Sequence, residues 1–476
     1  MNYTLLTDFY ELTMAYGYFK SGKMNEITHF EVFYRSVPDN GGFVIASGLE
    51  TIIDYVLNMS YSKEDIDFLR TKGMFDEEFL TYLSTFRFRG DIKAVKEGTP
   101  VFPNEPIVTV RGNAIEAQLV ETYFLLAINH QSLIATKASR IVRAADGRGV
   151  MEFGSRRAQG ESAAIYGARA AYIGGVIGSA NVITDKMYGI PALGTMAHSW
   201  IMMFDSEYEA FKTYANIFPT NATLLIDTYN VLKSGLPNAM RVFKEVLEPI
   251  GIKKGGVRID SGDLTYLSKK VRKILDANGL DYVKIVASNS LDEYIIESLL
   301  NDGAKIDSFG VGERLITSKS SAVLGGVYKL VAVEENGQIV PKIKISENPE
   351  KTTIAGAKDL YRLFDKETGK AIADVMAVRG EKLDFKDGYE IFDPVYTYKR
   401  KTLENFYAES LLEDIFIDGK LVYKKPHINE IKEYANNCIN YLWDEVKRFE
   451  NPHKYYVDYS QRLYDQQEKL LENNNK

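Results

Sequence analysis

Between residues 148 and 330 the chain repeats one pattern, in which a short apolar run ends in small or polar residues and a helical segment follows. The runs finish near Phe153, Ile177, Leu193, Ile226, Ile259, Val286 and Phe309, about 16 to 33 residues apart. A parallel crossover needs a dozen or more residues, and each of these intervals can hold one. Seven such units predict an irregular βα barrel rather than an open sheet. The flanks read differently. IKAVKEGTPVFPNEPIVTVRG (92–112), YKLVAVEENGQIVPKIKIS (328–346) and DVMAV (374–378) alternate β-formers with turns, which is the mark of antiparallel sheet. Strand type alone suggests that the two flanks rejoin in one discontinuous α/β sandwich domain.

Helical periodicity fills in the rest. Thr7-Asp8 precedes Phe9, Leu12, Tyr16 and Phe19 at three-to-four-residue spacing, and Gly22 ends that helix. One long helix is expected from Ala114 to about Arg143, and amphipathic helices from Ile428 to Leu471. The segment GYFKSGKM (17–24) mimics a phosphate-binding loop, but Met24 replaces the required Ser or Thr and the segment closes a helix. The expected organisation is therefore 1–125 for the first part of the sandwich and 126–330 for the barrel with the active site. Residues 331–476 form the return to the sandwich and a C-terminal helical region.

Composition narrows the function. Of 476 residues 45% are hydrophobic and 26% charged, which rules out a disordered chain. At about 150 residues per domain the length suggests two to three domains. The charge, 58 − 65 = −7, is mild and spread along the chain, and the cluster Lys399-Arg400-Lys401 reads as an isolated solvated face. Nucleic acid is a poor partner on that basis. No apolar run approaches the roughly 18 to 20 residues of a membrane helix, and MNYTLLTDFYELTM shows no leader pattern. The single cysteine, Cys438, suits a reducing compartment, and the five histidines show no metal-binding spacing. A cytoplasmic enzyme of small molecules is the expected class.

In a βα barrel chemistry sits at the C-terminal strand ends. Here these ends read EFGSRRAQG (152–160), GTMAHSW (194–200), LIDTYN (225–230), VRIDSGDL (257–264), VASNSLDE (286–293) and FGVGERL (309–315). Asp260 and Asp263 can hold ribose hydroxyls or a hydrated Mg²⁺, or one of them can simply cap the next helix. Gly310 and Gly312 let backbone amides approach a phosphate, or serve a turn that needs positive φ. Of the neighbours Arg156 and Arg157, one guanidinium is expected to meet phosphate or carboxylate and the other to form a salt bridge. His198, among small residues beyond a strand end, can act as a general base or as a nucleophile that carries phosphoryl, against the commoner fate of a packed or surface histidine.

In order and spacing these segments resemble the nicotinate phosphoribosyltransferases, a family of the type II phosphoribosyltransferases. The resemblance also covers LLTDFYELTMAYGYF (5–19), EGTPVFPNEPIVTVRG (97–112), EAQLVET (116–122), ATKASR (135–140), LGGVYKLVAV (324–333) and RFENPHKYYVDYS (448–460). It implies synthesis of nicotinate mononucleotide and pyrophosphate from nicotinate and phosphoribosyl pyrophosphate, in NAD salvage. ATP is implied as co-substrate, with Mg²⁺ as cofactor and a phosphohistidine intermediate. It further implies a homodimer with shared active sites.

By the same resemblance Tyr10 stacks on the pyridine of the partner subunit's site, and Thr195 and Arg258 contact nicotinate. Arg156 contacts the phosphoribosyl substrate, and His198 is the residue ATP phosphorylates. Gly310 and Gly312 hold the ribose 5-phosphate, with Ser288 and Asn289 nearby. Glu313 stands where some members carry a phosphate-binding Thr, so it is expected to turn away. Asp260 and Asp263 remain candidates for ribose or Mg²⁺. The rival readings are a nicotinamide phosphoribosyltransferase, which would want an acceptor such as Asp near the ring, and a quinolinate enzyme, which would want more cations. A catalytically silent binding relative is a third, opposed by the intact Arg156, His198, Asp260 and Asp263.

Overall fold

The computed structural model describes residues 2–348, 351–386 and 388–474. The chain divides into two compact units, residues 134–322 and a second unit formed by 1–133 together with 323–476.

In the unit 134–322 every strand pairing is parallel. The ladder runs from Gly178–Ser179 through Gly149–Glu152, Ser308–Val311, Lys284–Ser288 and Gly256–Ile259 to Thr223–Leu225. A further parallel bridge joins Ser179 to Ala192. Neighbours in the chain are thus neighbours in the ladder, and the first strand pairs with the last. That cyclic order is barrel topology. Among the described residues no bridge joins the segment at Ala192 to the strand at Thr223, which makes the barrel irregular. The run ending near Leu193 is accordingly a single bridge rather than a strand. The strands read as continuous apolar runs because both faces are covered, as in Lys284–Ser288, where Ile285, Val286 and Ala287 are all buried.

The other unit is built on antiparallel sheet. Strands Ile27–Phe33, Asp91–Val95 and Val108–Asn113 from one end of the chain pair with Val327–Glu335 and Leu412–Ile417 from the other. The discontinuous sheet expected from strand type is present. Its core gathers Phe30, Val32, Val108 and Val110 with Phe79, Phe124 and Tyr328. A second sheet, Phe406–Ser410, Lys358–Asp365, Ala371–Val378 and Tyr456–Tyr459, buries a bidentate Arg362–Asp374 pair at 2.8 and 2.6 Å.

The first helix, Phe9–Lys20, ends as its sequence suggests. Gly22 has φ +76°, and the Lys23 amide donates back to the Tyr18 carbonyl at 2.9 Å, a Schellman closure. The long helix expected from Ala114 is instead two, Ala114–Gln118 and Glu121–Ala144. The carboxylate of buried Glu11 accepts the Thr122 amide at 3.1 Å and the Thr122 hydroxyl, so a side chain from the first helix caps the second segment. The tail also departs from uniform helix. Ile428–Tyr441 and Gln461–Asn474 are helical, but Tyr456–Tyr459 between them is a strand that pairs parallel with Ala373–Met376.

Among the described residues no helix is long and apolar enough to cross a membrane. Cys438 is a buried free thiol.

Candidate active site

Arg258 is the centre of the arrangement. It lies within strand Gly256–Ile259, and because side chains alternate it faces away from buried Val257 and Ile259. Its Nη1 donates to Thr195 Oγ1 at 2.6 Å and to the Met196 carbonyl at 3.2 Å. Nη2 lies 3.6 Å from Asp260 Oδ2, too far for a hydrogen bond, so among the described residues its N–H groups remain open to a planar acceptor. Arg258 is also largely enclosed, with a side-chain exposure of 13%.

Asp260 links three strand ends. Its Oδ1 accepts the Ser288 hydroxyl, and its Oδ2 lies 3.6 Å from Arg258 and 3.9 Å from His198 Nε2. The Asp260 amide donates to Asp227 Oδ2 at 3.1 Å, and the Ser261 hydroxyl donates to the same oxygen at 2.6 Å. Asp227 therefore staples the loop VRIDSGDL to the loop LIDTYN. Gly235 permits this closure, because a Cβ there would stand 1.9 Å from the Ile226 carbonyl oxygen.

His198 opens the short helix His198–Met202. Its Nδ1 is 3.1 Å from Thr228 Oγ1, which leaves Nε2 as the nitrogen turned to Asp260. The ring is partly exposed, at 42%. Asp227 and Thr228 lie in LIDTYN, a strand end visible in the sequence, but their roles were not: nothing in the motif tells which neighbour a short polar side chain will hold.

Thr195, His198, Arg258, Asp260 and Ser288 are thus brought into one network, and the remaining candidates in the same unit lie around or outside it. Gly310 sits opposite Ser288 in the ladder. Neither Gly310 nor Gly312 has positive φ. Gly310 is required because a Cβ would meet the Phe153 ring at 2.6 Å, and Gly312 caps the four-residue helix Glu313–Ile316. Asn289, at φ +98°, holds a strained turn just past Ser288. Asp263 caps the helix Leu264–Ala277 by accepting the Tyr266 amide at 2.9 Å. Arg156 is exposed, and its side chain makes no ion pair among the described residues, while Arg157 approaches Glu313 at 4.0 Å. Glu313 itself bonds Lys319 at 2.8 Å, and that ammonium holds its carboxyl below the ordinary range. Behind the site, burial raises the pKa of Glu152, which accepts the Ser179 hydroxyl at 2.6 Å.

Tyr10 belongs to the other unit. It is not a core aromatic: it is 43% exposed while Leu12 on the same helix is buried. Partial burial and the neighbouring Glu121 carboxylate, to which it hydrogen-bonds, both raise the pKa of its phenol.

A parallel, cyclically ordered α/β unit with polar groups at its strand ends defines a barrel-type enzyme, and comparison with known proteins gives its class. Three family models match, the nicotinate phosphoribosyltransferase N-terminal domain at 5–129, the nicotinate phosphoribosyltransferase family at 149–379 and the C-terminal domain at 357–467, the last two overlapping. The chain is 43% identical over 458 residues to the nicotinate phosphoribosyltransferase of Bacillus subtilis (strain 168), covering 96% of this chain and 93% of that one. It is 31% identical over 517 residues to the Homo sapiens protein of that name, covering 96% and 95%. The crystal structure of human nicotinic acid phosphoribosyltransferase superposes with a TM-score of 0.84 at 28% identity, covering 98% of this chain and all of that one. The candidate site lies at the strand ends of the parallel unit. The chain belongs to the nicotinate phosphoribosyltransferase family.

Proposed function

We propose that this protein joins nicotinate to phosphoribosyl pyrophosphate, yielding nicotinate mononucleotide and pyrophosphate, with ATP coupled to the reaction through phosphorylation of His198. The observation that carries the reading is the enclosed Arg258 guanidinium, anchored on Thr195 with Nη2 open beside His198 and Asp260. A pyridine carboxylate suits that cation, as a charge-assisted and potentially bidentate acceptor.

In the transfer step the pyridine nitrogen attacks the anomeric carbon and pyrophosphate leaves, so positive charge develops on the ribose ring and negative charge on the leaving group. Asp260, held by Ser288, is placed to stabilise the first. Arg156, with no ion pair among the described residues, is available to the second, and the amides around Gly310 and Gly312 are available to the 5-phosphate. Nicotinate is a weak nucleophile, so the contribution of Arg258 and Thr195 is alignment.

In the phosphoryl step, with the proton on Nδ1 and donated to Thr228, Nε2 carries the lone pair. It attacks the terminal phosphorus of ATP and ADP leaves.

Mg²⁺ binds few protein carboxylates and relies on water and substrate phosphates. Among the described residues no group of three acidic, His or Cys side chains converges on a metal position. Asp260 and Asp263 are the carboxylates that would hold such an ion, and it would neutralise charge on the leaving group.

The family resemblance supports a dimer in which Tyr10 reaches the partner's site; its outward position on the first helix is compatible with that role. The single cysteine, the free thiol Cys438, supports a reducing compartment, the cytoplasm. A competition assay among nicotinate, nicotinamide and quinolinate, with and without ATP, tests the whole reading. Nicotinate should be the preferred substrate and ATP should stimulate its use. Preference for either other pyridine would overturn it.

A further inference from the structure

The unit formed by 1–133 and 323–476 contains a cavity of about 1050 Å³ that the proposed reaction does not use. Its wall includes Lys399, Arg400 and Lys401, the cluster that reads in the sequence as a solvated face, together with Arg35 and Lys454. These five cations face two acids, Asp393 and Asp458, so the lining carries a net positive charge. The cations are unevenly committed. Arg400 is paired with Glu390 at 2.7 Å, whereas Lys401 and Lys454 are exposed and make no ion pair among the described residues. The Arg35 guanidinium lies 5.4 Å over the Phe33 ring, and its buried Nε has no hydrogen-bond partner among the described residues.

Asp458 is the decisive group. It is 4% exposed, on the strand Tyr456–Tyr459, and its carboxyl accepts no hydrogen bond among the described residues. The carboxyl opens on the cavity, where a ligand hydroxyl or amine can pair with it. Beside it Tyr456 presents a ring that is 41% exposed. A cavity this size is at the upper end for small-molecule sites and far exceeds what inorganic phosphate needs.

We infer that this cavity binds a nucleoside phosphate, with its phosphate on Lys401, Lys454 and Arg35, a hydroxyl or amine on Asp458, and its base against Tyr456. Burial and the nearby Asp393 raise the Asp458 carboxyl to about 7, in keeping with a group that lacks donors.

The test is titration calorimetry on the full chain with adenosine 5′-monophosphate as probe, repeated with saturating phosphoribosyl pyrophosphate, which occupies the proposed active site and carries no base, and with inorganic phosphate. One monophosphate should bind per chain whether or not phosphoribosyl pyrophosphate is present. Inorganic phosphate should bind at least tenfold more weakly. The exposed-residue variant Lys401→Ala/Lys454→Ala should lose at least tenfold in affinity at an unchanged melting temperature. If that variant melts early, the single variants Lys401→Gln and Lys454→Gln replace it, each with a severalfold loss. Absence of binding, displacement by phosphoribosyl pyrophosphate, unchanged affinity in the variants, or phosphate binding as tightly as the nucleotide would each overturn the inference.

Discussion

Thr228 Oγ1 sits 3.1 Å from His198 Nδ1, and this contact decides which imidazole nitrogen is left for chemistry. A ring nitrogen engaged by a hydroxyl is fixed in orientation, and the opposite nitrogen is directed at the reacting group. Thr228→Val removes the oxygen at nearly constant volume. ATP-stimulated kcat should fall about five- to tenfold, the size of one net hydrogen bond of ~1 kcal/mol. The nicotinate KM should stay the same and Thr228→Ser should restore the rate. Equal stimulation by ATP in Thr228→Val would show that the hydroxyl does not orient the ring.

Arg258→Ala should lower kcat/KM for nicotinate by about 10- to 150-fold, corresponding to the ~1.5–3 kcal/mol of a hydrogen bond to a charged group. The loss should be much smaller for nicotinamide, which presents no carboxylate. Steady-state kinetics with both pyridines checks this, and parallel losses would assign the selection to another group, such as Thr195 with backbone amides.

Tyr10→Ala and His198→Ala chains should each be inactive in ATP-stimulated turnover, and their heterodimers should regain activity at one site of two. Exchange must be confirmed by pull-down of differently tagged chains. No recovery in confirmed heterodimers would mean that Tyr10 serves its own chain or no site at all.

Asp458 has a carboxyl raised to about 7 by burial and by Asp393, against the opposing effect of Lys454. The folded state therefore holds its proton over a range, about pH 4 to 7, in which the unfolded chain has released it. Stability from this group is present below the unfolded value and declines as pH rises through 7. Asp458→Asn keeps the shape without the charge. Its melting temperature should exceed that of the parent by more at pH 8 than at pH 5, as read by thermal unfolding at both values. An identical pH slope in the two proteins would remove Asp458 from the account.

Periodicity made much of this fold legible. The βα rhythm from Phe153 to Phe309 marks the parallel ladder, because buried parallel strands must be apolar on both faces and their connections must be long. The break before Glu121 was not legible, since it depends on Glu11 reaching across from another helix. The strand Tyr456–Tyr459 was hidden for a similar reason, as its pairing partner lies some eighty residues earlier in the chain. In the candidate site, strand-end position pointed to His198 and Asp260 and the family resemblance to Arg258, and the structure brings the three together. The linking roles of Asp227 and Thr228 came only with coordinates, because a staple between two loops has no spacing of its own in the sequence. Gly310 shows the same limit: its need for a bare backbone comes from the ring of Phe153, not from a turn.

Phosphoryl transfer through His198 is tested by incubating the protein with ATP labelled in the γ-phosphate. Acid-labile, base-stable label should appear on the protein, be absent from His198→Ala, and be discharged when nicotinate and phosphoribosyl pyrophosphate are added. Label that persists in His198→Ala, or that never forms while nicotinate mononucleotide is made with ATP stimulation, would contradict it.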